Sequence, residues 1–473
     1  MRTIARLDGE DFTCLRVATY GFVDLISSSL TGEQLVIPIL SAAAMREADA
    51  RAVKSRGGDA LVAAAGTAVA LEAQSMLGSC YGSRVAVLVG PGLNGADGRI
   101  AAAWLRARGA KVDVIDVATQ PDELRGFALV IDAAFGLGCS RPYVAPHVAD
   151  GTLVIAVDLP SGVDADTGTL LGSPMAADVT MALGALKPAH VTGAAASLCG
   201  RLRFAGLGIV EGFVDGLVDD GDLAALVHRD TSDHKWTHAI QVLAGSTLMP
   251  GAADLVVRGA LAAGASMIRL SSRGDVARLV DLPAEVVRSD DAAIEKRSRC
   301  VVAGPGLGTE GVEWLRERLE GTSMPVVLDA DGLDRSLIAI GTSKDERWVL
   351  TPHDGEFARL TGAPVPVNRL EAVRSLAKET NCVVLLKGAT TLIADPNGVV
   401  RVVRSGTPTL ATAGSGDVLS GVIGATIARG HDPLEAAALG AHLHGRAGAA
   451  LTVYASASDI PLAIEAIIAT LSS

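Results

Sequence analysis

The stretch Ala411 to Gly430, ATAGSGDVLSGVIGATIARG, decides how the second part of this 473-residue chain is interpreted. It starts as a glycine-rich turn with Gly414, Ser415 and Gly416, and it continues as a helix whose apolar positions share one face. Glycine lets backbone N–H groups approach a ligand closely. A helix N-terminus adds unpaired N–H donors and a partial positive charge. The pattern predicts an anion site, most naturally for phosphate.

Asp417 follows directly after this turn. A carboxylate at that point would sit beside the held anion and is placed to act as a base on an attacking hydroxyl. The alternative is that Asp417 only caps the helix, because Asp after a glycine turn is a common helix start.

The composition favours a close-packed α/β protein of two or three domains. Hydrophobic residues make up 49% of the chain and charged residues 20%, which is enough to bury a large core, while glycines number 53 and aromatic residues only 3%. The net charge of −12 argues against a broad nucleic-acid surface. A nucleotide ligand stays open, because it needs only local donors.

Several classes of site are not expected. The six cysteines form no CxxC pair, which indicates reduced thiols in the cytosol. His442 and His444 are two residues apart, so they do not share a helical face and a metal site on them is not predicted. No run reads as long and apolar enough for a membrane span, and the N-terminus shows no signal peptide. We therefore expect a cytoplasmic protein.

The first part of the chain reads as strand, glycine turn and helix. Residues 1–37 have no assigned role, although residues 12–30 have some helical character. A helical region follows from Ser41 to Met76, and RVAVLV (84–89) predicts a buried strand. GPGLNGADG (90–98) then leads into a helix predicted over 99–108. This order is typical of phosphate or dinucleotide binding in an open α/β sheet, but the glycine spacing is not a clean GxGxxG.

Polar side chains follow the predicted strands at 84–89, 128–132 and 152–157, and a further strand is predicted at 111–117. The carboxyl ends of parallel strands share one edge of a sheet, so these side chains are expected to converge on one crevice. Clustered oxygen ligands suit a hard cation. The alternative is that each is a turn former or a helix cap. The residues are Asn94, Asp97, Asp132, Asp158 and Ser161.

The α/β alternation restarts after an acidic, glycine-containing stretch at 211–222, which reads as a linker. The predicted division is an N-terminal extension (1–37), a first half (38–222) and a second half (223–473). Before the linker, a strand at 179–186 leads to Lys187. After it, strands are predicted at 240–243, 300–303, 325–328, 348–350 and 382–386, with a hairpin over 391–403.

Two further residues of the second half follow predicted strands. Lys387 comes after an apolar run, so its ammonium should emerge at the strand end, where a phosphate partner fits; a snorkelling surface lysine is the alternative. His353 is either a ligand contact or a loop histidine.

The second half resembles the ADP/ATP-dependent NAD(P)H-hydrate dehydratases, which have a ribokinase-like fold. The resemblance covers 235–473 and rests on ordered motifs: AGS (244–246), GPGLG (304–308), LDADGL (328–333), LTPHDGE (350–356), LLKGATT (385–391) and AGSGD (413–417).

The first half, over 41–211, resembles the NAD(P)H-hydrate epimerases, which have a Rossmann-like fold. It does so through GPGLNGADG, IDAAFGLG and VDLPSGVDADTG. Together the two halves are similar to bifunctional enzymes that repair hydrated nicotinamide cofactors. Their first domain interconverts the R and S hydrates, and their second phosphorylates the S form with a nucleotide, so that loss of phosphate restores NADH or NADPH.

The resemblance also implies roles for residues. In the second half it implies hydrate binding by Ala252, Gly306, His353 and Asp417, with Asp417 as catalytic base, and nucleotide binding by Lys387, Gly388, Ala389, Thr390, Thr391, Gly414, Ser415 and Gly416. In the first half it implies hydrate binding by Leu93, Asn94, Gly95, Ala96, Asp97, Gly136 and a catalytic Asp158, and potassium binding by Asn94, Asp132 and Ser161. The implied cofactors are Mg²⁺, K⁺ and a nucleotide, with ADP preferred to ATP. A homo-oligomer with no nucleic-acid or membrane partner is expected.

One departure bears on the first half. The epimerase loop usually reads NNGGDG, whereas Leu93 and Ala96 occupy its first and fourth positions here. Asn94 and Asp97 remain, so cation binding can survive, while Leu93 removes a polar contact. Two rival hypotheses follow: a first half that only binds nucleotide or assembles the protein, and a vitamin or sugar kinase whose product keeps the phosphate.

Overall fold

The computed structural model describes residues 24–25, 36–210, 215–227, 230–276, 279–289, 293–308, 310–342 and 347–471. Within the first part of the chain, buried apolar runs form strands and alanine-rich segments form helices. The elements are β1 (Asp24–Leu25), β2 (Ile37–Pro38), α1 (Ala42–Arg56), α2 (Gly58–Leu77), β3 (Arg84–Val89), α3 (Leu93–Arg106), β4 (Lys111–Asp116), β5 (Glu123–Leu124), β6 (Leu129–Ala133), β7 (Tyr143–Val144), β8 (His147–Val148), β9 (Leu153–Val157), β10 (Gly172–Ser173), β11 (Val179–Leu183), α4 (Pro188–Val191) and β12 (Arg201–Ala205).

The second part repeats the alternation with longer helices. Its elements are β13 (Gly216–Leu217), β14 (Ala239–Ser246), α5 (Pro250–Ala262), β15 (Met267–Arg273), β16 (Val286–Arg288), β17 (Cys300–Ala303), α6 (Gly311–Leu319), β18 (Val326–Leu328), α7 (Arg335–Thr342), β19 (Val349–Leu350), α8 (Asp354–Thr361), α9 (Arg369–Thr380), β20 (Val383–Leu386), β21 (Thr391–Ala394), β22 (Val400–Val403), α10 (Ser415–Ala428), α11 (Pro433–Ala450) and α12 (Ile460–Leu471).

Two large sheets organise these elements. The first has seven parallel strands in the order β1-β12-β11-β9-β6-β3-β4. The second has eleven strands in the order β16-β15-β14-β17-β18-β19-β20-β21-β22-β13-β2. It is parallel from β16 to β20 and then turns antiparallel through the β21–β22 hairpin. The predicted α/β class is therefore confirmed.

The two sheets are joined by short strands that belong to the second one. β2 pairs antiparallel with β13, and β13 pairs parallel with β22. The next residue, Ile39, forms a bridge with Leu186 at the end of the first sheet. One apolar cluster continues across this junction, since it contains Leu202 and Phe204 from β12 together with Val402 from β22. The boundary placed at residue 222 stays a prediction, and β13 lies before it.

Four sequence interpretations need revision or comment. The helix predicted over 99–108 is α3, which begins six residues earlier at Leu93, so part of the glycine motif is helical. The stretch 211–222, which was predicted to be a linker, contains β13, and β13 is a strand paired with β22. Residues 211–214 of this stretch lie outside the described residues. The helical character of residues 12–30 falls mostly outside them, and Asp24–Leu25 is a strand.

Helix α2 departs from the expectation that no segment is long and apolar enough to span a membrane. At 20 residues, α2 is long and apolar enough to cross a membrane by length and composition, contrary to the expectation from the sequence. It instead packs within the first half: Val69, Ala70 and Ala73 are fully buried, and Glu72 pairs with Arg203 at 3.2 Å. These contacts are those of a core helix.

Candidate active sites

Asp158 and Lys187 form a buried ion pair at the carboxyl end of β9. Asp158 has a positive φ of 64°, which is uncommon for a residue with a side chain. The Lys187 side chain is only 1% exposed, and its ammonium contacts the Asp158 carboxylate. The same ammonium donates to Leu183 O at 2.8 Å and Ala185 O at 3.0 Å, so all three of its donors are used.

His190 fixes the backbone of this pair. Its Nδ1 accepts from the Lys187 N–H at 2.8 Å, so the proton lies on Nε2, which donates to Asp158 O at 2.5 Å. Burial, followed by the Lys187 charge, lowers the pKa of His190 to about 4. The imidazole is therefore neutral near pH 7 and acts as a positioning group.

Two more carboxylates face Asp158. Burial, together with the charges of Asp158 and Asp49, raises the pKa of Asp97 to about 8. Burial also raises the pKa of Asp49, against the opposing effect of Lys187. Asp97 therefore holds a proton near neutral pH while Asp158 is paired with Lys187. A protonated carboxyl beside a carboxyl that contacts a lysine ammonium supplies groups suited to acid–base chemistry.

Asp132, Ser161 and Asn94 bring oxygen atoms to the same edge of the sheet. The Asp132 carboxylate is fully buried and accepts from Ser161 N at 2.9 Å and from Ser161 Oγ at 2.6 Å. Burial raises its pKa. Asn94 uses its Nδ2 to donate to Val157 O at 2.7 Å, which leaves its carbonyl oxygen as an acceptor.

The oxygen donors of this group suit a hard cation. A carboxylate, a hydroxyl and an amide oxygen are the ligand types that such cations take. Within the described ranges, no group of three or more His, Cys, Asp or Glu side chains is placed to hold a metal ion. A transition-metal centre is thus not indicated in that part of the chain.

The altered epimerase loop forms the first turn of α3. Gly95 packs against the backbone, where a Cβ would lie 2.0 Å from Gly90 O, so this position requires glycine. Gly136 contacts the Asn94 amide, since a Cβ there would lie 2.4 Å from Oδ1. Leu93 is 68% exposed at the rim. The structure thus places Leu93 to Asp97 beside the crevice that holds Asp158.

In the second half, α10 begins at Ser415 with Gly414 as its N-cap. Gly414 has φ +87°, a left-handed conformation that glycine adopts without strain, and it provides no side chain to cap the first-turn N–H groups. Ser415 Oγ lies 3.3 Å from Nε2 of His444, a buried residue whose pKa is lowered to about 4 by desolvation. The helix start is therefore open to an anion and bordered by a neutral histidine.

Lys387 lies at the centre of the charged groups at this helix start. Its ammonium is 2.9 Å from Asp329 Oδ1 and 3.7 Å from Glu356 Oε2. A Cβ on Gly416 would lie 3.4 Å from the same ammonium. Burial opposes the charged form, but the carboxylates of Asp329 and Glu356 prevail and raise the pKa of Lys387. The lysine is a permanent cation next to the α10 N-terminus.

Asp417 stands in the first turn of α10 within this cluster. Burial and then the negative charge of Asp329 raise its pKa to about 7, against the opposing charge of Lys387. A carboxyl whose pKa lies near the working pH suits a general base, because it is both ionised often enough and basic enough to accept a proton. Desolvation explains why Asp417 differs from an ordinary exposed aspartate.

Of the remaining predicted hydrate contacts, His353 lines the same cavity as Lys387. His353 caps α8 by accepting from Gly355 N at 3.0 Å, and its side chain is 59% exposed. Ala252 and Gly306 touch each other: a Cβ on Gly306 would lie 2.6 Å from that of Ala252. His353 is therefore both a helix cap and accessible to a ligand.

A cavity of about 1790 Å³ extends from this site into the junction between the halves. Its walls include five predicted nucleotide-binding residues, from Lys387 to Thr391, as well as Ser415 and Gly416. Asp178, Thr192 and Arg201 of the first half also contribute. The volume exceeds the roughly 300–1,000 Å³ of an ordinary ligand pocket.

The sequence did not single out several residues that take part in these clusters. Asp49 comes from a helix far from the other first-site residues in sequence, so only the fold brings it there. Asp329 and Glu356 lie inside motifs quoted for the resemblance, and their position at a strand end was the available signal. Lys387 follows β20 directly, so the strand-end argument applies to it, whereas Lys187 lies beyond the end of β11, after Gly184, Ala185 and Leu186.

Comparisons with known proteins agree with this arrangement. Residues 240–470 match the family model described as NAD(P)H-hydrate dehydratase, and residues 58–126 and 117–189 match that of the YjeF-related protein N-terminus. The chain is 39% identical to the bifunctional NAD(P)H-hydrate repair enzyme of Mycobacterium tuberculosis H37Rv over 408 residues, which is 79% of this chain and 84% of that protein. It is 36% identical to the Mycobacterium leprae enzyme, covering 89% and 95% of the two chains.

A solved structure with a similar fold comes from Bacillus subtilis. It is an ADP/ATP-dependent NAD(P)H-hydrate dehydratase co-crystallised with ATP/Mg²⁺, with 30% identity and a TM-score of 0.47. The match covers 53% of this chain and 96% of that one.

The fold and the family matches define a bifunctional α/β enzyme, in which a half that matches the YjeF-related N-terminus precedes a half that matches the NAD(P)H-hydrate dehydratases. The identities extend over most of both chains. The protein belongs to the family of bifunctional NAD(P)H-hydrate repair enzymes, and the kinase alternative is not favoured.

Proposed function

We propose that the second half transfers a phosphoryl group from ADP to the ring hydroxyl of the S hydrate of NADH or NADPH. Asp417 accepts the hydroxyl proton while the oxygen attacks the terminal phosphorus, and AMP leaves. Loss of the phosphate with the adjacent ring proton then regenerates NADH or NADPH. The net change converts hydrate and ADP into reduced cofactor, AMP and inorganic phosphate.

The observation that carries this proposal is the position of Asp417 in the first turn of α10. The carboxyl lies beside the Lys387 cation and has a pKa raised to about 7. The uncapped N–H groups after Gly414 and the ammonium of Lys387 stabilise negative charge on the transferring group. A base, a cation and an anion cradle thus lie together, as phosphoryl transfer requires.

We infer that nucleotide is held by the segment 387–391 and by Gly414, Ser415 and Gly416, and hydrate by Ala252, Gly306, His353 and Asp417. The cavity walls that contain Lys387 to Thr391 support the first assignment. Mg²⁺ would accompany the nucleotide and neutralise phosphate charge. Asp329 and Asp331 supply hard oxygen donors close by.

For the first half we propose epimerisation of the R and S hydrates, with Asp158 as the catalytic carboxylate. Its ion pair with Lys187 fixes the position of the carboxylate in a buried site, and Leu93 to Asp97 and Gly136 would border the substrate. Asn94, Asp132 and Ser161 fit K⁺ because they offer three kinds of oxygen. When bound, K⁺ would offset the buried Asp132 charge and orient the substrate's polar groups.

We further infer a cytoplasmic homo-oligomer that uses neither a membrane nor a nucleic acid. The net charge of −12 and the core packing of α2 support the last two points. Exposed Tyr81 and Tyr454, 86% and 95% accessible, are candidate contacts between copies.

A coupled assay tests both halves at once. Purified protein receives mixed R and S NADH hydrate with ADP, Mg²⁺ and K⁺, and the return of reduced-nicotinamide absorbance is followed. We expect recovery of both epimers faster than spontaneous exchange. Recovery of the S fraction alone would contradict epimerase activity, and no recovery with ADP or ATP would contradict the dehydratase.

A second assay isolates the first half. Asp158→Ala should abolish the exchange of R and S hydrates while ADP-dependent loss of the S form continues. Unchanged exchange would instead support a first half that only binds or assembles.

A further inference from the structure

Arg404 stands next to the proposed nucleotide-binding segment. It is the first residue after β22, and β22 pairs antiparallel with β21 so that Val403 lies opposite Thr391. The register therefore brings Arg404 to the level of Thr390. Two residues further on, a Cβ placed on Gly406 would lie 3.7 Å from Ala389 O. The loop that starts with Arg404 thus runs beside the segment 387–391.

The Arg404 side chain also reaches the junction between the halves. Its charge acts on Cys199 and His190, both in the first half, and it lines the cavity that the halves share. Burial raises the pKa of the Cys199 thiol to about 12, and His190 is neutral, so neither neutralises the guanidinium.

Arg404 has a donor without an acceptor. Its Nη1 atom is buried and makes no hydrogen bond, and within the described ranges no carboxylate forms an ion pair with it. The hydroxyl of Thr407, three residues on and also in the cavity wall, is likewise buried and unsatisfied. Buried donors and charges are costly unless they are paired, which indicates a missing anionic or polar partner.

The other cationic side chains of the cavity wall, unlike Arg404, form ion pairs with carboxylates of the protein. Arg369 holds Asp354 at 2.7 Å, Arg201 holds Glu72 at 3.3 Å, and Lys387 holds Asp329 at 2.9 Å. Each of these charges is balanced by the protein. Arg404 is available to balance a charge that comes from a ligand.

We propose that Arg404 binds a phosphoryl group of a ligand held in the cavity between the two halves. A planar guanidinium pairs with two phosphate oxygens at once, which suits this group better than a lysine would. The identity of the ligand rests on the proposed function, in which two different groups carry phosphate into the cavity. One is the diphosphate of ADP, and the other is the 2′-phosphate that distinguishes NADPH hydrate from NADH hydrate.

Three variants of the full chain test the proposal. Arg404→Gln removes the charge, Arg404→Lys keeps the charge without the two-pronged geometry, and Arg401→Gln is the control. Arg401 lies on β22, which ends just before Arg404, but its charge is balanced by Glu435 at 2.7 Å. For each variant, KM for ADP is measured with NADH hydrate and with NADPH hydrate. KM for each hydrate is then measured at saturating ADP. The affinity for ADP is measured by calorimetry.

A lost charged hydrogen bond should weaken binding about tenfold to a hundredfold. If the ADP diphosphate is the partner, Arg404→Gln raises KM for ADP by that factor with both hydrates. If the 2′-phosphate is the partner, KM rises for NADPH hydrate alone. Arg404→Lys should show a smaller loss in the same constant, and Arg401→Gln no change in any.

Constants within twofold of the unmodified protein in Arg404→Gln would overturn the proposal. Should that variant not fold, the same result in Arg404→Lys would overturn it. This test can be distinguished from a test of the proposed function. Absence of turnover in the unmodified protein would contradict the proposed function. Calorimetry with ADP would still show whether Arg404 contributes to nucleotide affinity.

Discussion

Asp329 holds the Lys387 ammonium at 2.9 Å, and both residues act on the titration of Asp417 in opposite directions. The Asp329 charge raises the pKa of Asp417 and the Lys387 charge lowers it. With burial, the sum leaves the carboxyl with a pKa of about 7. A buried base with this pKa gains and loses its proton near neutral pH.

Dehydratase activity should therefore depend on pH through Asp417. The base acts only when ionised, so kcat/KM for the S hydrate should fall about tenfold per pH unit below pH 7 and level off above it. Asp329→Asn removes a negative charge near Asp417. It also removes the carboxylate that partly neutralises the Lys387 ammonium, so that Lys387 stabilises ionised Asp417 more strongly. Both changes lower the pKa of Asp417. The acid limb should move down by about one unit.

Initial rates from pH 5.5 to 8.5 check this, with Asp334→Asn as control because the charges that shift the pKa of Asp417 are those of Asp329, Lys387, Asp331 and Glu356. A flat profile across that range would show that ionisation of Asp417 does not limit turnover.

Asp417→Asn should remove turnover while leaving nucleotide binding in place. Loss of a general base costs about 10² to 10⁴ in rate, whereas the amide keeps the shape and the helix start. Affinity for ADP, measured by calorimetry, should stay within about threefold, because the N–H groups of α10 and Lys387 are untouched. Ser420→Ala is the control, since its hydroxyl donates to the backbone Asp417 O at 2.8 Å and not to the Asp417 carboxylate. Near-normal turnover of the Asn variant would rule out Asp417 as the base.

Several strands were predictable because they are short, largely buried apolar runs, whereas β12 and β15 were not predicted. Arg84–Val89, Cys300–Ala303 and the hairpin over 391–403 appear with the predicted bounds or within one residue of them. Polar residues after such runs are then forced to one edge of a parallel sheet. This explains how sequence reasoning placed Asp132 and Asp158 in one crevice.

Other features carry no periodic signal. β2 and β13 have two residues each, too few to show alternation, and their pairing depends on the meeting of the two halves. The early start of α3 was missed because glycines at 95 and 98 read as a turn, whereas close packing against backbone and side chains demands them. The buried position of Lys187 follows from the crossover after β11, which a local pattern does not show. These are long-range effects of tertiary packing.

The Asp158–Lys187 pair gives a prediction on stability and exchange. Lys187→Met should lower the free energy of unfolding by about 3–5 kcal/mol, because it leaves a buried carboxylate without its cation. Asp158→Asn removes the other partner. The double variant should be less destabilised than the sum of the two, with a coupling of about 0.5–3 kcal/mol. Urea unfolding measures these values.

Exchange of the hydrates should be lost in all three variants, including the double variant whose stability is partly restored. A double variant that regains exchange would show that the pair is structural only. Strictly additive stability losses would show that the ion pair does not couple the two residues.

Potassium should stabilise the first half through Asp132. Its carboxylate is fully buried and hydrogen-bonded to Ser161, and burial raises its pKa, so a bound cation offsets a charge that the protein leaves uncompensated. At a hundred times the dissociation constant, binding adds about 2.7 kcal/mol to the folded state. The unfolding midpoint in KCl should therefore exceed that in tetramethylammonium chloride of equal ionic strength by several degrees.

The comparison between salts is made within each variant, so differences in basal stability cancel. Asp132→Asn should abolish the difference and slow exchange of the hydrates, because the amide brings no negative charge to the cation. Asp417→Asn, which alters only the distant second site, should retain the full difference. A potassium effect that survives in Asp132→Asn would place the cation elsewhere, and equal midpoints in the two salts for the unmodified protein would exclude potassium from this crevice.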